Sequence, residues 1–133
     1  MPFMFSRLFR EDLIRLISFP QMHELRLDDE YFSLLKECKK VYEMRINDDK
    51  RKGIHVGDLI KFHNRAETDS VLSVVDERLD SKSFDEAVQL IGYDLLMPNA
   101  PDAQSCLAKY RAFPGYRDGE LLYGVVVFKL KLL

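Results

Sequence analysis

Between Lys39 and Lys52 the chain reads Lys39-Lys40-Val41-Tyr42-Glu43-Met44-Arg45-Ile46-Asn47-Asp48-Asp49-Lys50-Arg51-Lys52, with charged residues alternating among bulky apolar ones. In a strand, residues two apart share a face. Val41, Glu43 and Arg45 therefore project to one side, and Lys40, Tyr42, Met44 and Ile46 to the other. Lys40 lies at the strand entrance, ahead of the regular pleat, so its side chain can still join Glu43 and Arg45. A lysine beside a carboxylate and a guanidinium can orient a nucleobase amide or bind a phosphate bidentately. The plainer alternative is a surface ladder of ion pairs, each worth only about 0 to 1 kcal/mol.

The next segment, Asp48-Asp49-Lys50-Arg51-Lys52-Gly53, reads either as a phosphate-contacting loop or as a solvated turn whose two acids blunt the field of its cations. Gly57-Asp58 is a structural turn, since glycine permits the tight bend and Asp58 can accept from nearby backbone amides. Tyr110, Phe113, Tyr116 and Tyr123, with Arg111 and Arg117 interleaved, give an aromatic C-terminal third from which bases could be stacked. Most of these belong to the core or a lid. Tyr116 stands apart, because Pro114-Gly115 and Asp118-Gly119 put it on a turn. His23, His55 and His63 share no ligand spacing, so no metal is expected, and no phosphate loop, nucleophile elbow or HExxH motif occurs. No cofactor is implied.

These residues need elements to hold them. Met22 to Leu27 alternates as a first strand, and Asp28 or Asp29 can cap a helix carrying the stripe Tyr31, Phe32, Leu34, Leu35 and Cys38. Strands follow at about 41–47, 58–63 and 70–78, with polar loops between. Ser83, with Glu86 three residues on, forms a capping box for a helix fading near Gly92. A helix over 101–111 takes Pro101 as a first-turn residue, and Leu121–Leu132 is the strongest strand. Successive short strands favour a barrel or curled sheet, although periodicity alone gives only α+β. Phe5, Leu8, Phe9, Leu13, Leu16 and Ile17 make residues 4–18 an amphipathic helix ending before Phe19-Pro20. The domain division is thus a 1–20 appendage and a domain over 21–133. The helix either covers the domain's own core or meets a protein partner.

At 133 residues the chain suits one ordinary domain. Apolar residues make up 47% and charged residues 32%, which excludes wholesale disorder. The net charge of -2 predicts no polyanion partner, yet residues 36–52 hold seven Lys/Arg against four Asp/Glu, a local excess of +3 over a remainder of -5. Two cysteines without paired spacing give no disulfide framework and fit a reducing cytoplasm. No run approaches the roughly 20 apolar residues needed to span a bilayer, and charges interrupt the N-terminus, so neither signal peptide nor membrane contact is expected.

Taken together, the pattern resembles the ASCH family of the PUA-like superfamily, whose members carry Gly-x-Lys-x-x-Glu-x-Arg followed by a Val-Gly-Asp turn. Here the motif reads Cys38-Lys39-Lys40-Val41-Tyr42-Glu43-Met44-Arg45, and the turn reads Val56-Gly57-Asp58. The similarity continues through Leu59-Ile60-Lys61-Phe62, Ser83-Phe84-Asp85-Glu86-Ala87 and Tyr123-Gly124-Val125-Val126-Val127, roughly Met22 to Leu133. Cys38 stands where the family has glycine; if that position is a left-handed helix cap, Cys38 is a strained substitute. The resemblance implies a small mixed β-barrel with flanking helices and a cleft beside the motif strand. It implies binding of RNA or of a nucleoside or nucleotide ligand through Lys40, Glu43, Arg45, Lys50, Arg51 and Tyr116. The alternative it carries is an amidohydrolase acting on an acylated nucleoside such as N4-acetylcytidine, a reaction that some bacterial members perform with Lys, Thr and Glu. Lys40 matches that lysine, Glu43 takes the threonine's place, and a second acid falls near Asp94. Catalysis would then rest on Lys40 and Glu43.

Overall fold

The computed structural model describes residues 20–133. The expected N-terminal helix lies outside the described residues, and with it the choice between core packing and partner contact. Five strands and six helices follow in the described chain: β1 (Met22–Arg26), α1 (Asp29–Lys36), β2 (Tyr42–Ile46), α2 (Asp49–Lys52), β3 (Leu59–His63), β4 (Ser70–Ser81), α3 (Phe84–Ile91), α4 (Tyr93–Leu96), α5 (Ala103–Ala112), α6 (Tyr116–Tyr123) and β5 (Val125–Leu132). The strands form one curled, half-barrel sheet in the order β1-β3-β4-β5-β2. β1 runs parallel to β3, and the remaining pairs are antiparallel. This is the mixed α+β barrel-like fold that the sequence implied. None of the described helices is long and apolar enough to cross a membrane.

β4 does most to curl the sheet. Its first half pairs with β3 and its second with β5, and a register shift between Val75 and Glu77 kinks it at the changeover. β5 is the strand that can least tolerate water. Val125 to Phe128 are all buried, as expected of a strand covered on both faces. The core joins Ile60, Phe62 and Phe128 of the sheet to Leu35 of α1, Phe84 of α3, Leu96 of α4 and Cys106 of α5.

The helix ends follow their sequence signals with two corrections. Ser83 Oγ accepts from the Glu86 amide at 3.1 Å and Gly92, at φ 105°, ends α3, as the capping box required. Asp28 occupies the N-cap of α1, but its carboxylate makes no cap bond and pairs instead with Arg65 at 2.9 Å. α5 is capped by Asp102, which accepts from the Ser105 amide at 2.7 Å, and Pro101 precedes the helix. Cys38 does adopt the left-handed region, at φ 60°. The Cys38 and Lys39 amides donate back to Leu35 and Leu34, the Schellman arrangement that normally carries glycine.

The larger correction is at the C-terminal strand. β5 begins at Val125, and the apolar residues Leu121, Leu122 and Tyr123 end the helix α6, exposed. Gly115, at φ 78°, and Gly124, at φ 70°, bracket that helix, and the continuous apolar run masked the break. Within α6, Gly119 lies against β2: a Cβ there would sit 2.9 Å from Ile46 Cγ2. Only a glycine lets the helix approach so closely.

Candidate functional site

β1 and β2 are the two edges of the sheet, and they face each other across an open seam. Arg45 on β2 reaches over the seam and donates from Nη2 to the Arg26 carbonyl on β1 at 2.7 Å. A cavity of about 180 Å³ sits there, lined by Arg26, Leu27, Tyr31, Lys40, Glu43, Arg45, Met97, Tyr110, Phe113 and Tyr116 among others. That is slightly more than the roughly 150 Å³ that accommodates a benzene ring. The cleft is therefore of the size that one ring system fills.

Glu43 and Arg45 share a face, as the strand period required: Arg45 Nε donates to Glu43 Oε2 at 2.8 Å. Lys40 precedes β2 and does turn to the same side, with Nζ 3.5 Å from Glu43 Oε1. Yet Lys40 is only 2% exposed. Its ammonium donates to the Tyr42 carbonyl and, at 2.5 Å, to the Leu96 carbonyl at the end of α4. Burial pushes its pKa below that of a free lysine, with the Glu43 charge pulling the other way. Burial also works against the Arg45 charge, but the Glu43 carboxylate outweighs it and holds the guanidinium above its ordinary value. Lys40 thus forms the floor and fixes Glu43, while Glu43 and Arg45 face the space above.

The aromatic wall is built on Phe84. Tyr110 and Tyr116 both stack against it, at centroid distances of 5.5 and 6.0 Å, and Phe113 meets both tyrosines edge-on. Tyr116 is accordingly held in the first turn of α6, half-buried, instead of standing free on a turn. Burial raises its phenol pKa, with Arg45 opposing. Tyr110 donates its hydroxyl to the Leu96 carbonyl at 3.3 Å, the acceptor that Lys40 also uses. Arg111, interleaved with these aromatics in the sequence, is tied to Glu120 and Asp85 at 3.0 and 2.6 Å.

Lys50 and Arg51 are not in the cleft. They line a shallower adjoining basin of about 570 Å³ with Glu24, Arg26, Arg45, His63 and Glu67. The expected loop around them is a single helical turn, α2, capped by Asp48, which accepts from the Arg51 amide at 3.1 Å. Asp48 also pairs with the Arg51 guanidinium at 2.9 Å, so this acid is structural. Arg78 of β4 clamps the turn from beneath, donating to the carbonyls of Arg51 and Ile54 at 2.8 and 2.5 Å and to Asn47 Oδ1 at 2.9 Å. Arg26, Met97 and Arg78 had no sequence signal, and Tyr31 read only as part of an apolar stripe, because their places at the site depend on the seam and on β4. Asp118-Gly119 read as a turn by sequence, and only the helix α6 shows Gly119 as a point of close packing.

Asp58 is the structural residue expected: it is buried and accepts from the backbone amides of Gln21 and His55 and pairs with His23. Asp94 is exposed and does not line the cleft, so it supplies no second acid there. Among the described residues no group of three or more His, Cys, Asp or Glu side chains gathers as a metal site.

The sequence pattern of the ASCH domain matches residues 25–133. The crystal structure of hypothetical protein PH0355 superposes with a TM-score of 0.76 at 28% identity, covering 85% of this chain and 100% of that one. The solution NMR structure of protein PF0455 from Pyrococcus furiosus gives a TM-score of 0.69 at 28% identity, over 85% of this chain and 98% of that one. None of the curated proteins matches.

Proposed function

The chain belongs to the ASCH domain family, and on that premise we propose that its cleft binds RNA or a nucleotide ligand. One observation carries the reading: a buried carboxylate and a partly buried guanidinium, locked together at 2.8 Å, face a cavity sized for one ring and walled by aromatic side chains. Such a pair offers an acceptor beside donors, the pattern that reads the edge of a base, while the aromatic wall covers its face. The adjoining basin adds cations, from which salt-dependent affinity follows. A cytoplasmic location goes with this reading, since Cys38 and Cys106 are both free thiols.

Titrating the protein with a short single-stranded RNA across a salt series tests it. Affinity should fall as salt rises, and Arg45→Ala should weaken binding about ten- to a hundredfold, the loss of a charged hydrogen bond worth roughly 1.5–3 kcal/mol. Unchanged affinity on replacing both Arg45 and Lys50 would sink the proposal.

A second reading rests on Lys40, whose pKa is lowered by burial and whose ammonium lies 3.5 Å from Glu43. In an amidohydrolase acting on an acylated nucleoside, Glu43 would activate water and Lys40 would stabilise the oxyanion. Two backbone carbonyls already hold the Lys40 ammonium, and this favours binding over turnover. Acetate release from N4-acetylcytidine at saturation decides between them: none is expected.

A further inference from the structure

The cleft and the basin share two residues, Arg26 and Arg45, so they are neighbouring compartments of one surface. Their chemistry differs. The cleft is walled by Tyr31, Met97, Tyr110, Phe113 and Tyr116, whereas the basin presents Arg26, Arg45, Lys50 and Arg51 against only Glu24 and Glu67. Within the basin, Arg26 is paired with Glu67 at 3.1 Å, Arg51 with Asp48 at 2.9 Å and Arg45 with Glu43 at 2.8 Å. Lys50 is the exception: among the described residues it meets no carboxylate within ion-pair distance, and its Nζ donates at 3.2 Å to the Glu24 carbonyl.

The resting positions of Lys50 and Arg45 are informative. Both bond to neutral carbonyls of the same strand edge, Lys50 to Glu24 and Arg45 to Arg26, two residues apart. In a strand those carbonyls are about 6.6 Å apart. The two cationic heads therefore flank one strip of β1, beside the mouth of the cleft. An anion adds the attraction of opposite charges to the hydrogen bonds that a neutral carbonyl offers, so an anion entering between them would compete with the carbonyls for both heads.

We propose that the ligand is a single unpaired nucleotide bound in two parts, its base in the aromatic cleft and its phosphate in the basin between Arg45 and Lys50. This rests on the reading of the cleft as a nucleotide site and specifies its ligand. A base must leave its stack to enter so small a cleft, so the site takes one extruded or terminal nucleotide and rejects duplex. Arg45, at the boundary, contacts both parts.

Amide NMR titrations of the full chain with ribonucleosides, and with their 5′- and 3′-monophosphates, separate the two compartments. Nucleosides should shift the cleft alone, around Glu43, Arg45 and Tyr116. Monophosphates should also shift Lys50 and Arg51 and bind at least tenfold tighter than the parent nucleoside, with the more effective isomer giving the polarity of the strand. Lys50→Ala should cut that advantage below threefold and leave nucleoside affinity within twofold. Equal affinity of nucleoside and monophosphate overturns the proposal, as does an advantage that survives Lys50→Ala or a monophosphate without effect at millimolar concentration. In each case a short RNA that still shifts the cleft leaves the broader reading standing, whereas no shift with RNA removes both.

Discussion

Lys40 and Lys50 stand ten residues apart in one basic segment and play opposite parts. Lys40 is buried, with its ammonium held by two carbonyls and facing Glu43. Lys50 is exposed and touches one carbonyl. The difference teaches how the site divides its work. In the cleft the protein has already answered each charge, so what remains for a ligand is shape and a fixed pattern of donors and acceptors. In the basin the charge is solvated and lightly held, so it attracts from a distance and is screened by salt.

Breaking the Lys40 side of this contrast should have the largest effect. Lys40→Met leaves the Leu96 carbonyl without its ammonium and Glu43 with one cation fewer, and removing one partner of a buried pair costs about 3 kcal/mol or more. Urea denaturation should show that loss at unchanged slope, while Lys50→Ala should fall within about 0.5 kcal/mol of the parent protein. A Lys40→Met protein as stable as the parent would mean that the cleft is no better satisfied than the basin.

The cleft wall can be tested by pH. Glu120 accepts from Arg111 and from the Phe84 amide at 2.8 Å, tying α6 to α5 and to the start of α3. Burial alone would raise its pKa, but those hydrogen bonds outweigh it and hold the carboxyl below the usual 4.5. A depressed carboxylate binds protons more weakly folded than unfolded. Its stabilisation is therefore complete above about 4.5 and lost as pH falls through the lower folded value. Glu120→Gln should cost about 1–2 kcal/mol at pH 7. Thermal melts at descending pH should show the gap closing below 4.5; a gap independent of pH would remove the ion pair from the account.

The smallest effect sharpens the comparison at the entrance to β2. Cys38→Gly removes a left-handed side chain, at φ 60°, two residues before Lys40. Relief of that strain, partly offset by glycine's greater freedom in the unfolded chain, should stabilise by a few tenths to about 1 kcal/mol. A lower melting temperature would show that Cys38 is held by packing and not merely tolerated.

Much of this geometry is local and was therefore legible in the sequence. The strand period put Glu43 and Arg45 on one face, the Ser83 capping box set the start of α3, and the motif's missing glycine pointed to strain at Cys38. What could not be read depends on distant parts of the chain. Lys40 reads as a ligand-binding candidate in sequence, but that it lies at the floor of the cleft depends on the end of α4 arriving at Leu96. Lys50 and Arg51 looked like part of the same cleft, and the turn that Arg78 clamps from β4 carries them into another compartment. Leu121 to Tyr123 read as strand because hydrophobicity was continuous, whereas backbone angles at Gly115 and Gly124 decided the matter.

A sheet that stops one pairing short of closure leaves two edges whose backbone groups invite another molecule's strand. Here the carbonyls of Tyr42, Glu24 and Arg26 are each occupied by a cation from Lys40, Lys50 or Arg45. The same side chains that surround the candidate site are guards against edge-to-edge aggregation. Closing the barrel with a further strand would have removed that hazard and filled the cleft with it. Lys50→Ala, which keeps stability within about 0.5 kcal/mol, uncovers the Glu24 carbonyl and should raise light scattering while the fold is still intact.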